Sequence, residues 1–447
     1  MEKIKLRIST FQIILLGFVL VIAVGAILLA LPVAAKNGES AGILDAAFTS
    51  TSAVCVTGLV VHDTATYWSA FGQTIIAVLI QIGGMGVVTV AVAIVMLTGR
   101  KIGIMQRSTL QEAIAAPKVG GIVRFIGFIL KTMIIIELTG AAVMAPVFME
   151  RFGVRQGILY SLFHSVSAFC NAGFDLMGLE GEFSSLTAFI SQPLINITVM
   201  LLIILGGLGF LTWDDIKTNK IHFKSYRMQS KVILIYTLIL VILPALYFFF
   251  VEFGRARWSG LSYNERVCAS FFQAVAPRTA GFNTVDMANL SDVGQALTII
   301  LMLIGGAPGS TAGGMKTTTI AVLFASAISV FRHRESPQCF GRRIEETAVR
   351  NAAAIVTIYI VLFLSAGFII SEMEGLPLGA CLFEAASAIG TVGLTLGITP
   401  ELGMISRLIL IMLMILGRVG GLTFIFATVS GRGMDYSRYP KEKITVG

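Results

Sequence analysis

Eight long apolar runs divide this chain, and they limit its fold more than any other feature. A helix needs about 20 residues to cross a hydrocarbon core roughly 30 Å thick. Runs of about that length or longer cover residues 11–31, 72–97, 122–148, 186–211, 232–250, 293–330, 348–370 and 404–430. Because only 13% of the 447 residues are charged, the chain has too little polar surface for a water-soluble fold of this size. The sequence therefore predicts an all-α membrane protein with eight transmembrane helices.

The basic residues indicate the orientation of these helices. Of the 33 Lys and Arg residues, 24 lie in segments that share a side with the N-terminus, at 1–10, 100–131, 217–231, 316–350 and 432–443. Lys and Arg accumulate in cytoplasmic loops, so both termini of this multi-pass protein are predicted to be cytoplasmic, with the chain in the cell membrane. The net charge of +8 is then a topology signal, and we expect no nucleic-acid partner. Five scattered cysteines without CxxC spacing predict neither a disulfide framework nor a structural zinc site.

A fourfold internal repeat groups the apolar runs in pairs. A phenylalanine precedes a glycine by ten residues four times, at Phe48 and Gly58, Phe163 and Gly173, Phe271 and Gly281, and Phe383 and Gly393. Each of the four glycines follows a short apolar stretch, at 41–53, 157–169, 263–276 and 379–389, which is too short to cross a bilayer and must dip in and return. We therefore predict four consecutive helix–pore loop–helix repeats around a central pore, with boundaries 1–99, 100–221, 222–335 and 336–447.

The glycine-containing loops are candidate ion-binding segments. Non-helical backbone at membrane depth is tolerated where it is buried in protein or lines a water-filled cavity. Backbone carbonyls can replace the water shell of K⁺ when successive peptides turn inward, which requires dihedral angles that glycine adopts at low cost. The candidate K⁺ filter comprises Cys55, Val56, Thr57, Gly58, Cys170, Asn171, Ala172, Gly173, Arg278, Thr279, Ala280, Gly281, Gly390, Thr391, Val392 and Gly393. The fourth segment most closely matches the Thr-Val-Gly filter of potassium channels.

The chain resembles the membrane subunits of the Trk/Ktr/HKT potassium transporter superfamily, in particular the KtrB type. The resemblance covers nearly the whole chain and includes all four loop glycines. The resemblance implies K⁺ uptake, and Gly58 favours potassium because members that prefer sodium commonly carry serine there. It also implies a homodimer in the lipid bilayer with one pore per subunit, gated by a cytoplasmic nucleotide-binding ring like KtrA. No covalent cofactor is expected, and a dependence on Na⁺ stays open.

Each inner apolar run carries a glycine cluster, and the third predicts a break. For the first two clusters, at 83–86 and 206–209, we expect close helix packing, since small residues let membrane helices approach. The run 293–330, by contrast, would measure about 57 Å as one helix, nearly twice the hydrocarbon thickness. The break is expected in a glycine-rich segment that the resemblance matches to an intramembrane gating loop, namely Gly305, Gly306, Ala307, Pro308, Gly309, Ser310, Thr311, Ala312, Gly313, Gly314, Met315 and Lys316.

Arg418, in the fourth cluster, is a second candidate gate residue. Gly305 follows Gly281 by 24 residues, and Gly417 follows Gly393 by 24, so both elements should reach the same depth. A charge inside a span faces a cavity or a partner. Burial cost alone leaves open whether Arg418 pairs with an acid such as Glu137 or Glu384 or points into the pore; the resemblance implies the pore.

Two other classes of function compete with a pore. An intramembrane enzyme needs converging catalytic groups, and the few ionisable residues in the spans form no plausible dyad, so we predict that the chain is not an enzyme. A sodium-coupled transporter with alternating access is the nearer alternative. Such transporters typically show two inverted repeats, whereas four repeats in the same orientation favour a pore.

Overall fold

The computed structural model describes residues 9–97, 109, 111, 112 and 121–421, and most of these residues are helical. An outer helix, a half-helix and an inner helix follow one another four times in chain order. The predicted all-α membrane fold with four repeats is therefore confirmed. The predicted repeat boundary at residues 99 and 100 lies outside the described residues.

The four outer helices are long and continuous. They are Thr10–Leu29, Ile122–Phe152, Met228–Tyr247 and Glu346–Glu374, and the third continues as a π-helical turn, Phe248–Glu252. By length and composition each of the four can cross a membrane, and no other single helix among the described residues can. The count rises to six when two bent helix pairs are each taken as one span.

Four half-helices stop partway through the molecule. They are Ile43–Val54, Val154–Phe169, Tyr263–Val275 and Leu378–Gly390. Equivalent serines tie the first two to the outer helices of their own repeats. The Ser50 hydroxyl donates to the Ile22 carbonyl at 2.8 Å, and the Ser165 hydroxyl donates to the Glu137 carbonyl at 2.6 Å. The sequence repeat is therefore also a repeat of packing.

The first two inner helices are sharply bent. They run Ala70–Met85 with Val87–Leu97, and Pro193–Gly207 with Phe210–Asn219, and the two parts of each meet at 95° and 97°. The glycines do permit the expected close packing, because a Cβ at Gly83 would lie 2.8 Å from the Val54 carbonyl carbon. The sequence does not indicate the bends themselves. They occur where Gly86 and Gly209 adopt left-handed φ angles of 82° and 84°, which other residues rarely adopt.

The third inner helix is interrupted, as predicted. Its parts are Asp292–Leu303 and Thr317–Phe331, with a non-helical segment between them. The fourth inner helix is Met404–Val419, and the predicted continuation from 422 to 430 lies outside the described residues. A two-stranded hairpin, Gln338–Cys339 with Arg342–Arg343, precedes the fourth outer helix. Short 3₁₀ turns occur at Pro32–Ala34, Thr187–Phe189, Phe223–Ser225, Ala256–Trp258, Met287–Asn289 and Thr399–Glu401.

Candidate functional site

The C-terminal ends of the four half-helices lead directly into the four glycine loops, which we define as residues 55–58, 170–173, 278–281 and 390–393. The half-helices end at Val54, Phe169, Val275 and Gly390. The C-terminus of a helix carries the negative end of its dipole. Four such ends beside the loops create a site that favours a cation.

The backbone of each glycine loop contains two left-handed residues. The glycines have φ angles of 91°, 69°, 78° and 94° at Gly58, Gly173, Gly281 and Gly393. Two residues earlier, the chain is left-handed again at Val56, Asn171, Thr279 and Thr391, with φ between 51° and 69°. Left-handed angles are uncommon for residues other than glycine and costly for Val and Thr. Alternation of left-handed with other angles turns successive carbonyls to the same side, the arrangement that a carbonyl ion site needs.

The four glycines form a closed ring. An added Cβ at Gly58 would lie 3.1 Å from Gly173 Cα, one at Gly173 would lie 2.9 Å from Gly281 Cα, and one at Gly281 would lie 3.2 Å from Gly393 Cα. A Cβ at Gly393 would lie 2.9 Å from Gly58 Cα, which completes the circle. The structure thus brings all four predicted loops around one axis, with no room at the glycines for a side chain.

Half-helix serines brace this ring from behind. The Ser52 hydroxyl accepts from the Gly58 amide at 3.0 Å, and Ser387 accepts from the Gly393 amide at 2.9 Å. In the third repeat, the buried Arg278 side chain donates to the Thr237 hydroxyl on the outer helix, at 3.3 Å. Arg278 therefore directs its side chain away from the ring and contributes only backbone to the loop.

Loop 305–316, the break in the third inner helix, is docked on the bend of the second. The Ala307 amide donates to the Gly207 carbonyl at 2.9 Å, and the Phe210 amide donates to the Gly309 carbonyl at 2.7 Å. The Thr311 hydroxyl donates to the carbonyl of Phe169, the last residue of a half-helix, at 2.9 Å. The loop is thus held both by the bend and by the base of a glycine loop.

The same loop reaches the fourth repeat. The Gly314 amide donates to the Gly417 carbonyl at 3.0 Å, so the two elements are level, as their equal spacing from the glycines predicts. A Cβ at Gly314 would lie 2.8 Å from the Gly390 carbonyl oxygen. The loop therefore lies directly against the half-helix side of the ring.

Arg418 joins this loop to the first inner helix. Its guanidinium donates to the Thr311 carbonyl and to the carbonyls of Gly83 and Gly84. Within the described part of the chain Arg418 forms no ion pair. The acids considered as partners are engaged elsewhere, Glu137 with the Gln81 amide and Glu384 with two threonine hydroxyls. Arg418 therefore does not pair with Glu137 or Glu384 in the structure.

A cavity of about 230 Å³ lies beside Arg418 and loop 305–316. Lys316 lines it, and its ammonium donates to the Ala312 carbonyl at 2.8 Å, within its own loop. Glu112 lines the same cavity. Arg418, Lys316 and other residues of loop 305–316 thus share the wall of this cavity.

Buried polar groups behind the ring were not assigned to the site from the sequence. Gln81 donates to Glu137 at 3.1 Å, and the Cys170 thiol lies 3.7 Å from the Gln81 side-chain oxygen. Glu384 accepts from Thr399 at 2.7 Å. The sequence does carry a signal for these groups, since an acidic residue inside an apolar stretch indicates a functional site. Glu137 and Glu384 enter the sequence analysis only as partners of Arg418.

The sequence of residues 2–433 matches the family model of TrkH, a family of cation transport proteins. The chain belongs to this family. It is 38% identical over 452 residues to the potassium/sodium uptake protein NtpJ of Enterococcus hirae, covering 100% of this chain and 99% of that protein. It is 38% identical over 443 residues to the Ktr system potassium uptake protein B of Bacillus subtilis, covering 99% and 97%. The resemblance to the Trk/Ktr superfamily is confirmed.

A solved structure shows the same fold. The crystal structure of the potassium transporter TrkH from Vibrio parahaemolyticus superposes with a TM-score of 0.73, covering 95% of this chain and 86% of that one, at 19% sequence identity. At that identity the match concerns the fold alone. This member of a cation transport family is a membrane protein of the same architecture.

Proposed function

We propose that this chain takes up K⁺ into the cell through the ring of four glycine loops, which act as its selectivity filter. The observation that carries the proposal is the shared backbone pattern, a left-handed residue at each glycine and another two positions before it, in all four loops. Such a pattern aims carbonyls at one axis and is suited to an ion without its water shell. The names of both full-length relatives, which include potassium uptake, support K⁺ as the ion.

Loop 305–316 and Arg418 form the gate in this proposal. The loop lies against the half-helix side of the ring, and Arg418 links it to the first inner helix. A positive charge at this depth repels an approaching cation by about 4 kcal/mol at 4 Å and an effective dielectric near 20. The loop blocks the remaining path until it moves.

A cytoplasmic nucleotide-binding ring moves this loop, and the second inner helix carries the movement. Its segment Phe210–Asn219 is bonded to the loop through the Phe210 amide and leads into the basic stretch 217–231. That stretch and 332–350 are candidate contacts for the cytoplasmic nucleotide-binding ring. A third candidate contact, 100–118, lies almost wholly outside the described residues. A relative named as part of a Ktr system supports such a partner. The chain works as a homodimer in the cell membrane with both termini in the cytoplasm.

Growth of a bacterial strain without its own K⁺ uptake systems tests the proposal. Expression of this chain with its cytoplasmic partner should restore growth at low K⁺, and the Gly393→Ala variant should not. If the parent reaches the membrane and restores no K⁺ uptake, the proposed function is wrong.

Sodium-coupled cation transport is the second candidate, and the name of the relative NtpJ, a potassium/sodium uptake protein, favours it. The two candidate functions differ in whether K⁺ uptake requires Na⁺. A carrier should lose K⁺ uptake when external Na⁺ is replaced by choline, whereas the proposed pore should continue to conduct K⁺.

A further inference from the structure

Two glutamates lie buried behind the glycine loops on opposite sides of the ring. Glu137 lies on the second outer helix and Glu384 on the fourth half-helix, and they are 7% and 0% exposed. They belong to the second and fourth repeats, whose glycines are not neighbours in the ring. Within the described residues neither glutamate forms an ion pair. Because a carboxylate is costly to bury without a compensating charge, packing alone is a poor reason to keep either acid.

Glu137 contacts the second glycine loop through its side chain. The Gln81 amide donates to both carboxylate oxygens, at 3.1 and 3.2 Å. The Cys170 thiol, at the start of the loop, lies 3.9 Å from Glu137 Oε1. The Ser165 hydroxyl fixes the backbone by donating to the Glu137 carbonyl at 2.6 Å. The carboxylate is therefore held against the loop by groups that carry no charge.

Glu384 is held against the segment that follows Gly393. Its Oε1 atom accepts from the Thr395 hydroxyl and from the Thr399 hydroxyl, the latter at 2.7 Å. Its Oε2 atom is buried and has no hydrogen-bond partner in the described part of the chain. Ser387, three residues later in the same half-helix, accepts from the Gly393 amide. A carboxylate with one unsatisfied oxygen thus lies on the half-helix that braces the fourth loop.

The other repeats show that packing does not require an acid at either position. Ile22 is equivalent to Glu137, because each lies 26 residues before the phenylalanine of its repeat and its carbonyl accepts from the equivalent half-helix serine. Phe272 is equivalent to Glu384, since each directly follows the phenylalanine of its repeat. Ile22 and Phe272 are both buried. The fold therefore accepts an apolar side chain at each of these positions.

A neutral side chain can also hold the segment after a ring glycine. His164 occupies the position of Glu384 in the second repeat, one residue after Phe163. Its Nε2 atom accepts from the Leu176 amide at 3.3 Å, and its Nδ1 atom lies 2.7 Å from the Tyr160 carbonyl oxygen. An imidazole that accepts at one nitrogen and donates at the other is neutral. Bracing of the loop therefore does not explain why Glu384 is an acid.

We propose that Glu137 and Glu384 are counter-charges for the cation in the ring. A K⁺ ion that has lost its water shell supplies the positive charge with which neither carboxylate is paired in the described part of the protein. Coulomb attraction depends on charge and distance, so it acts on K⁺ and Na⁺ alike. The carbonyls of the four loops therefore determine which ion is bound, and the two glutamates determine how tightly. The inference rests on the proposed function of the ring.

The affinity of the purified chain for K⁺ tests this inference without a flux measurement. Bound K⁺ raises the melting temperature, and the dependence of that rise on K⁺ concentration, at an ionic strength held constant with choline, gives the dissociation constant. Unit charges about 10–15 Å apart at an effective dielectric near 20 change a binding constant by about 5- to 15-fold. Glu137→Gln and Glu384→Gln, which keep the shape of the side chain and one accepting oxygen, should each weaken K⁺ binding by about this factor. The ratio of the K⁺ and Na⁺ dissociation constants should not change.

Glu252→Gln is the matched control. Glu252 is also fully buried, but it pairs with Arg255 at 3.9 Å and accepts from Ser291 at the start of the third inner helix. Its replacement should leave both dissociation constants unchanged. Glu137→Asp, which shortens the side chain but keeps the charge, should bind K⁺ with nearly the affinity of the parent.

An unchanged K⁺ dissociation constant in either Gln variant would overturn the inference for that glutamate, even if the variant melts at a lower temperature, because its carboxyl group would then carry no charge that the ion senses. A changed ratio of the K⁺ and Na⁺ constants would also overturn it, since the glutamate would then shape the loop. These outcomes leave the proposed filter intact. A parent chain that binds K⁺ no more tightly than Na⁺ would instead refute the proposed filter and, with it, this inference.

Discussion

Removal of Arg418 should open the proposed gate in the absence of any partner. Its guanidinium holds loop 305–316 to the first inner helix through the Thr311 and Gly83 carbonyls. A hydrogen bond from a charged group contributes about 1.5–3 kcal/mol, and each 1.4 kcal/mol corresponds to about a tenfold change in an equilibrium. Loss of the Thr311 bond alone should therefore raise the open population about tenfold or more. Arg418→Ala also removes the electrostatic repulsion of the entering cation.

The assay is K⁺ flux into liposomes that contain the purified chain without its partner. Arg407→Ala is the matched control, because Arg407 lies at the opposite end of the same helix and pairs with the Asp45 carboxylate at 2.6 Å. Arg418→Lys separates the two effects, since it keeps the charge but cannot bridge both carbonyls. Deletion of residues 308–312 should raise flux as well. If Arg418→Ala and the deletion variant fold, insert and conduct no better than the parent, the gate lies elsewhere.

Three further predictions concern the ring, the docking of the loop and the partner. Gly393→Ala should lower K⁺ over Na⁺ selectivity by about 5- to 30-fold, because its Cβ would lie 2.9 Å from Gly58 Cα and overpacking of about 1–2 kcal/mol would displace the carbonyls of the ring. Gly397→Ala has the same φ of 94° and hence the same backbone strain, but nothing lies within 4 Å of its Cβ, so it should leave selectivity unchanged; equal reversal potentials for the two variants would contradict this. Phe210→Pro should raise flux without the partner relative to Phe210→Ala, because proline is tolerated at the first position of a helix but removes the amide that holds the loop; equal fluxes would show that this bond does not hold the gate. Lys224→Glu should weaken co-purification of the cytoplasmic nucleotide-binding partner, whereas Lys36→Glu, on the opposite face of the membrane, should leave it unchanged. Equal recovery of the partner with the two variants would exclude the 217–231 contact.

Much of the fold followed from length and repetition. Four outer helices, four half-helices and the break in the third inner helix were predictable because hydrocarbon thickness limits helix length. The bends at Gly86 and Gly209 were not predictable. A glycine that allows close helix packing and a glycine that turns the chain look the same in a sequence. Only the left-handed φ angles in the structure distinguish the two.

The candidate site was predictable only in part. The glycines marked the four loops, but nothing marked Val56 and Thr391 as left-handed, because β-branched residues disfavour that region and the surrounding fold imposes it. The contacts of Arg418 were equally hidden, since its partners are backbone carbonyls that every residue possesses. Sequence reasoning therefore considered carboxylates as partners, and the structure shows Thr311 and Gly83.

Reversal potentials test the central proposal most directly. The Arg418→Ala variant, purified and placed in liposomes without its partner, should conduct with K⁺ on one side and Na⁺ on the other. A selective ring of carbonyls predicts a reversal potential close to the K⁺ equilibrium value, which follows K⁺ when the two ions are exchanged. A reversal potential near zero under both gradients would show that the four glycine loops do not select K⁺.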